Sequence, residues 1–277
     1  MERLNPLNDF LFKKLFADEK EPELLIELLK AILELNISEI KIEKENLNRV
    51  SEEDKLGILD IKAKTATGEK YNIEVQLLNQ KNMIPRTLFY WSKLFVEDFE
   101  AGSPYKSLQK TVTINILGFK MEELRNESFH SIYKLKETTS KNLLTDLLEI
   151  HFIEFPKFAK LHYDLNKPIH RWLLFLKEDV SEDMLREVIH MDVGVNKAEE
   201  KLQRLSADPE TRREYERRAK ALSDERSRLE DAKEEGIETG ILNVVKKLIE
   251  NGMSLEEAAK FTPYSAQQLN DMLKMND

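Results

Sequence analysis

The sequence predicts a mixed α/β fold: strand-like and helix-like segments interleave over the first 155 residues, and helical patterns alone follow. Three observations carry that reading. LGILDIKAK and KYNIEVQL are strand-like runs on either side of TATGE, the pattern of a β-hairpin. RTLFYWSKLFVEDFEAG places Leu88, Trp91, Leu94, Phe95 and Phe99 at helical spacing. From Lys167 onward, RWLLFLKE and SEDMLREVIH open a stretch whose periodicity is helical throughout.

Taken in order, Asn8 is placed to cap a helix over DFLFKKLF, and beyond Glu21-Pro22 a second helix carries Leu24, Leu25, Leu28, Leu29, Ile32 and Leu33. Ile40 and Ile42 alternate with polar neighbours, as in a short strand. The hairpin spans residues 56–64 and 70–77, with Gly68 in its turn. In its second run Tyr71, Ile73, Val75 and Leu77 share one face, so Asn72, Glu74 and Gln76 share the other. A helix follows Pro85 and stops at Gly102. Strands are expected over 111–118, 129–136 and 147–155, completing an α-β-β-β-α-β-β-β order. The stretch from Pro209 to Glu235 is too polar for a core and reads as a solvated helix laced with ion pairs, projecting from the domain or pairing with another copy. Beyond Gly236 and Gly240 three short helical pieces are expected, with Ser254 and Glu257 at capping-box spacing and Ser265 capping the last. The chain thus divides into a domain at 1–200, a charged helical linker at 201–240 and a small helix-turn-helix-like unit at 241–277.

Composition narrows the chemistry. Of 277 residues none is cysteine, which removes disulfides, thiolate catalysis and cysteine-ligated metals. No apolar run approaches the roughly 18 residues that a bilayer span needs, so no membrane association is expected. The N-terminus has no apolar signal core, and a cytoplasmic location is the expectation. Formal charge is −9, divided as −6 over 1–60, +3 over 61–180 and −6 over 181–277. A chain coated for nucleic acid would be basic throughout; this pattern allows a local polyanion site between acidic flanks. No phosphate-loop glycine motif is present, and the histidines at 130, 151, 162, 170 and 190 have no zinc spacing. His151, inside LEIHFIEF, reads as a structural strand residue.

The hairpin is where chemistry is expected. Asp60 lies between Leu59 and Ile61 in a largely apolar run, where its charge is costly without a cation or hydrogen-bond donors to meet it. Antiparallel pairing about Gly68 brings Asp60 beside the stretch from Glu74 to Gln76. Two carboxylates with a nearby amide oxygen form a hard-oxygen set suited to Mg²⁺ or Mn²⁺. Lys62 lies on the same strand face as Asp60 and either supplies a positive charge there or simply pairs with it. Glu74 and Gln76 are otherwise the wet face of an edge strand. Arg86 and Tyr90, four apart on the next helix, either bind a phosphate and a base or stack on each other.

Six segments together, NPLNDFLFKKLF, DKLGILDIKAK, YNIEVQL, PRTLFYWSKLF, VTINILGF and LEIHFIEFPK, resemble the PD-(D/E)xK nuclease superfamily and, within it, the recombination-promoting nuclease and transposase group. The resemblance covers roughly residues 1–200. It implies a restriction-endonuclease-like mixed sheet core flanked by helices, here with a helical C-terminal tail. It also implies that Asp60 and Glu74, helped by the Val75 carbonyl, hold Mg²⁺ or Mn²⁺. Gln76 stands where the group's pattern usually has lysine, giving E-x-Q, and Leu59 stands where proline would precede the aspartate. A neutral amide positions a water but cannot deprotonate it, which leaves that task to the metal. Members of the superfamily often add a carboxylate from an early helix; Asp9 is the candidate, though an acid there also serves the helix dipole.

The resulting expectation is a Mg²⁺-dependent DNA endonuclease linked to recombination or mobile elements. Its catalytic set is Asp60, Glu74, Gln76 and Lys62, its substrate contacts are Arg86 and Tyr90, and its C-terminal helices are a possible homodimer interface. The alternative is a catalytically silent DNA-binding or oligomerisation protein that keeps the nuclease fold. Cleavage of RNA would use the same metal site.

Overall fold

The structure is a computed structural model that describes residues 3–43, 61–79 and 81–275. The chain falls into two compact units, Met1–Arg218 and Ala219–Asp277.

The first unit begins with helices α1 (Asp9–Phe16) and α2 (Glu23–Leu33). As expected, the Asn8 side chain accepts from the Leu11 amide and caps α1. Strands β1 (Lys41–Glu43), β2 (Ile61–Lys64) and β3 (Lys70–Gln76) follow, then α3 (Met83–Val96), β4 (Thr111–Leu117), β5 (His130–Lys136) and β6 (Leu143–Glu154). They form one six-stranded mixed sheet in the order β1-β2-β3-β4-β6-β5. Strands β3, β4 and β6 are mutually parallel, whereas β1, β2 and β5 join antiparallel. Gly68 makes the β2–β3 turn at φ +92°, a left-handed conformation that glycine adopts without a Cβ penalty. The first half of the expected hairpin strand, residues 56–60, lies outside the described residues.

The alternation in β3 assigns its two faces. Tyr71, Ile73 and Val75 join Val112, Ile114, Ile116 and Ile153 in the main core. That face is packed by α1, α2, α5 (Pro168–Leu176) and α7 (Val193–Ala207), whose Phe12, Phe16, Leu28, Trp172 and Val195 are almost fully buried. The opposite face is covered by α3, which buries only Met83, Thr87 and Leu94. A smaller apolar cluster of Met83, Leu117, Met121, Leu124, Ile150 and Phe152 closes part of it. The rest of that covered face is polar. Between β6 and α5 lies the single turn α4 (Phe155–Phe158), and α6 (Glu182–Met191) precedes α7.

Three elements differ in extent from the sequence reading. Helix α3 starts at Met83, so Pro85 sits inside its first turn, where the missing N–H has no intrahelical acceptor to lose. It also ends at Val96, before Gly102. Strand β6 starts at Leu143, because residues 143–147 pair with β5 alone and extend the hairpin past the reach of β4. Finally, α8 (Pro209–Glu250) continues through Gly236 and Gly240, whose cost is carried by good helix formers on both sides.

The second unit comprises the latter part of α8 with α9 (Leu255–Ala259) and α10 (Ala266–Met275). Leu242, Val245, Ala258 and Leu269 form its small core. Ser254 and Glu257 make the expected capping box. Ser265 receives the Gln268 amide at the head of α10. No described helix is long and apolar enough to cross a membrane.

Candidate functional site

Strand β3 is buried on both faces, so its polar residues stand beneath α3 with little water: Asn72 is 3% exposed, Glu74 1% and Gln76 3%. Parallel pairing sets Asn72 beside Thr113 and Glu74 beside Asn115 on β4. A polar layer therefore crosses two strands within an otherwise apolar fold. A polar group buried without a partner is costly, so each atom in this layer has to be accounted for.

Some atoms are satisfied. The Thr87 hydroxyl donates to Asn115 Oδ1 at 3.1 Å, and Asn115 Nδ2 donates to the His151 carbonyl at 3.1 Å, tying α3 to β4 and β6. Gln76 Nε2 donates to the Leu78 carbonyl at 3.1 Å. Others are not. Among the described residues, Asn72 Oδ1, Glu74 Oε2, Gln76 Oε1 and Thr113 Oγ1 are buried with no hydrogen-bond partner. Asn72, Glu74 and Gln76 are successive same-face positions of one strand, roughly 7 Å apart. The residues present thus offer a row of hard oxygen acceptors, a donor set that fits a hydrated divalent cation rather than a thiophilic metal. Among the described residues no group of three His, Asp or Glu side chains is gathered around a common point.

Among the described residues Glu74 has one cationic neighbour. Arg86 Nε lies 3.4 Å from Glu74 Oε1, and the Arg86 guanidinium stacks 4.9 Å above the Tyr90 ring. Burial pushes the Glu74 carboxyl above the usual carboxylate range, and Arg86 opposes that push. Arg86 Nη2 is itself buried with no partner among the described residues.

The remaining sequence-predicted residues are placed as follows. Asp60 lies outside the described residues; the β2–β3 register pairs its neighbour Ile61 with Ile73, next to Glu74. Lys62 pairs with Asn72 across the hairpin, and its ammonium reaches Glu97 at 3.7 Å. Its neighbours are engaged at the same end of α3, since Lys64 and Lys70 both bind Asp98, at 2.7 and 2.9 Å. The Val75 side chain belongs to the main core on the other face. Asp9 pairs with Arg218 at 2.9 Å and accepts from the Phe10 amide.

The sequence assigns no site role to Asn72, which it places on the face of Glu74, or to Thr87, Thr113 and Asn115. A signal existed for three of them: Asn72 falls in the alternation of Glu74 and Gln76, and Thr113 and Asn115 in that of TVTINIL. Nothing local marks Thr87, which matters only because α3 docks on β4. A second buried polar chain, also unforeseen, joins β5 and β6: His130 Nε2 to His151 Nδ1 at 2.8 Å, then His151 Nε2 to Glu149 Oε1 at 2.8 Å. Burial opposes ionisation of Glu149, but His151, Lys110 and Lys134 hold its carboxyl well below the usual range.

A comparison with known families matches residues 6–232 to the PD-(D/E)XK nuclease family transposases. No curated protein and no solved structure matches the chain. Over most of its length, and with an acceptor-lined sheet face centred on Glu74, the chain belongs to the PD-(D/E)XK nuclease family transposases.

Proposed function

We propose that this protein is a metal-dependent DNA endonuclease that hydrolyses phosphodiester bonds during movement or recombination of DNA. The observation that carries this reading is the row of acceptor oxygens on Asn72, Glu74 and Gln76 that have no partner among the described residues, buried where a structural layer would be paired. Glu74, Asp60 and the Val75 carbonyl are the proposed holders of Mg²⁺ or Mn²⁺. When bound, such an ion lowers the pKa of a water and stabilises charge on the departing oxygen. Gln76 presents Oε1 to orient the attacking water, its amide nitrogen already fixed by Leu78. Arg86 meets the phosphate with its forked donors, and the Tyr90 ring behind it sets the plane of the fork. Lys62 supplies positive charge from the neighbouring strand. Asp9, held by Arg218, is assigned no catalytic role.

Plasmid cleavage in Mg²⁺ and in Mn²⁺ tests this. Glu74→Ala and Asp60→Ala are each expected to lose at least about 100-fold in rate. Wild-type protein that binds DNA but cuts neither plasmid nor oligonucleotide would defeat the reading.

The Arg86–Glu74 contact favours a second reading, in which a permanent cation has replaced the metal and the fold persists as a silent DNA-binding or oligomerisation module. In either case the second unit is proposed as a homodimer contact, since Ile237 and Val244 are 51% and 57% exposed on α8 and Phe261 is 74% exposed beyond α9. Light scattering should then give twice the chain mass for the full-length protein, falling to the monomer with Ile237→Glu/Val244→Glu.

A further inference from the structure

The Glu74–Arg86 ion pair is left open in a way that the other arginine pairs of the core are not. Arg171 uses Nε and Nη2 on Asp192, both at 2.9 Å, and Nη1 on the Leu165 carbonyl at 2.7 Å. Arg3 uses Nε on Glu199 at 3.0 Å and Nη2 on the Phe175 carbonyl at 2.7 Å. Both forks are closed. Among the described residues Arg86 makes one long carboxylate contact of 3.4 Å, leaving its own Nη2 and the Glu74 Oε2 buried and unpartnered, although the two groups already touch. A structural guanidinium–carboxylate pair gains most from two parallel hydrogen bonds, which would satisfy both orphaned atoms at once. The fold declines that arrangement. The Tyr90 ring against Arg86 and the Thr87–Asn115 bond, one residue along the same helix, fix where the guanidinium sits.

An orphaned carboxylate oxygen calls for a cation, and an orphaned guanidinium nitrogen calls for an acceptor. We infer that Arg86 is the resting counter-ion of Glu74, and that the site takes a divalent cation and a phosphodiester as a coupled pair. The cation engages Glu74 Oε2; the anion engages the guanidinium that the cation displaces from Glu74. This rests on the metal-dependent reading above and adds to it a thermodynamic order. A cation arriving alone meets a carboxylate that is already neutralised and must push a second positive charge into a dry, anion-free site. With a phosphodiester present, both charges are met. Metal and phosphodiester must therefore strengthen each other, and by the same factor in each direction.

The test uses the full chain, Mn²⁺ titrated by calorimetry, and a short dinucleoside monophosphate as the anion. For the wild type, saturating dinucleotide is expected to tighten Mn²⁺ binding about tenfold, within the usual span of such couplings. Arg86→Met should bind Mn²⁺ alone about tenfold more tightly than the wild type, with the coupling reduced to a factor near one. Arg86→Lys, which keeps a charge but not the fork, should bind Mn²⁺ alone as weakly as the wild type and show a smaller coupling; it decides the matter if Arg86→Met does not fold. Wild-type protein that binds no Mn²⁺ at millimolar concentration would remove the metal-dependent reading itself. Wild-type protein that binds Mn²⁺, with the same affinity and coupling as a folded Arg86 variant, would overturn the inference alone, leaving Arg86 a structural residue with a water between the orphaned atoms.

Discussion

His130 shows what burying an ionisable side chain does to stability. Its ring is enclosed between β5 and β6, and burial, reinforced by the neighbouring His151, lowers its pKa from 6.5 to about 4, against the pull of Glu149. The groups facing it are His151 and, through that ring, Glu149 with Lys110 and Lys134. Between about pH 6.5 and 4 the unfolded chain takes up a proton at this residue that the folded chain does not. Stability is therefore complete above the unfolded value and is lost as pH falls through that window, by about 3 kcal/mol at most. Urea unfolding of the wild type and His130→Gln at pH 7 and pH 4.5 isolates the contribution, because the other acids cancel between the two proteins. The wild type should lose about 2 kcal/mol more than the variant over that interval, and equal losses would show that the histidine is protonated in place. None of this was legible in LEIHFIEF or in FHSIYKLK. The two histidines are 21 residues apart, and only strand pairing makes them neighbours.

Among elements, β3 was read correctly from its period of two, and the face carrying Asn72, Glu74 and Gln76 follows directly from KYNIEVQ. Its burial did not follow. Alternation alone reads as a half-exposed edge strand, whereas the polar face is roofed by α3. The sequence of α3 gives little hint of that, since Leu88, Phe89 and Val96 are exposed while the polar Thr87 is buried. Which side of an aromatic-rich helix faces inward was settled by tertiary docking, through Trp91 Nε1 on the Thr111 carbonyl and Thr87 on Asn115. In α8 the difference is one of length: the polar helix is expected over Pro209 to Glu235, yet it runs on through Gly236 and Gly240 to Glu250. Nothing lies within 4 Å of where a Cβ would stand at either position. Alanine there restores helix propensity without a clash, so Gly236→Ala and Gly240→Ala should each stabilise this part of α8 by about 0.5–1 kcal/mol. Amide hydrogen exchange of residues 232–246 would report it as slower exchange. Faster exchange would mean that the glycines serve a bend absent from this conformation.

For the molecule as a whole, the proposed nucleic-acid substrate would meet a chain of net charge −9 and so needs a local basic region. Many lysines of the basic middle stretch are spent internally: Lys64 and Lys70 on Asp98, Lys110 and Lys134 on Glu149, Lys157 on Glu154. Lys120 and Lys160 instead meet each other, and among the described residues neither lies within ion-pair distance of a carboxylate. The ammonium of Lys160 holds that of Lys120 below the ordinary lysine range. Lys120 follows β4, and Lys160 follows the helical turn after β6. Both strands are parallel to β3, so the two lysines stand beyond the same sheet edge as Gln76. Ligands of open α/β sheets gather at that edge, and two strand spacings of about 5 Å each set the scale of one further phosphate along a backbone. An anion between the two ammonium groups would relieve their repulsion. Each phosphate contact adds about 0.9 to the slope of log affinity against log salt. Duplex affinity followed by anisotropy over a salt series, without divalent ion, should therefore show a slope shallower by about two in Lys120→Glu/Lys160→Glu, with Mn²⁺ affinity unchanged. An unaltered slope would place the nucleic acid on another face of the sheet, and with it the track that leads to Glu74.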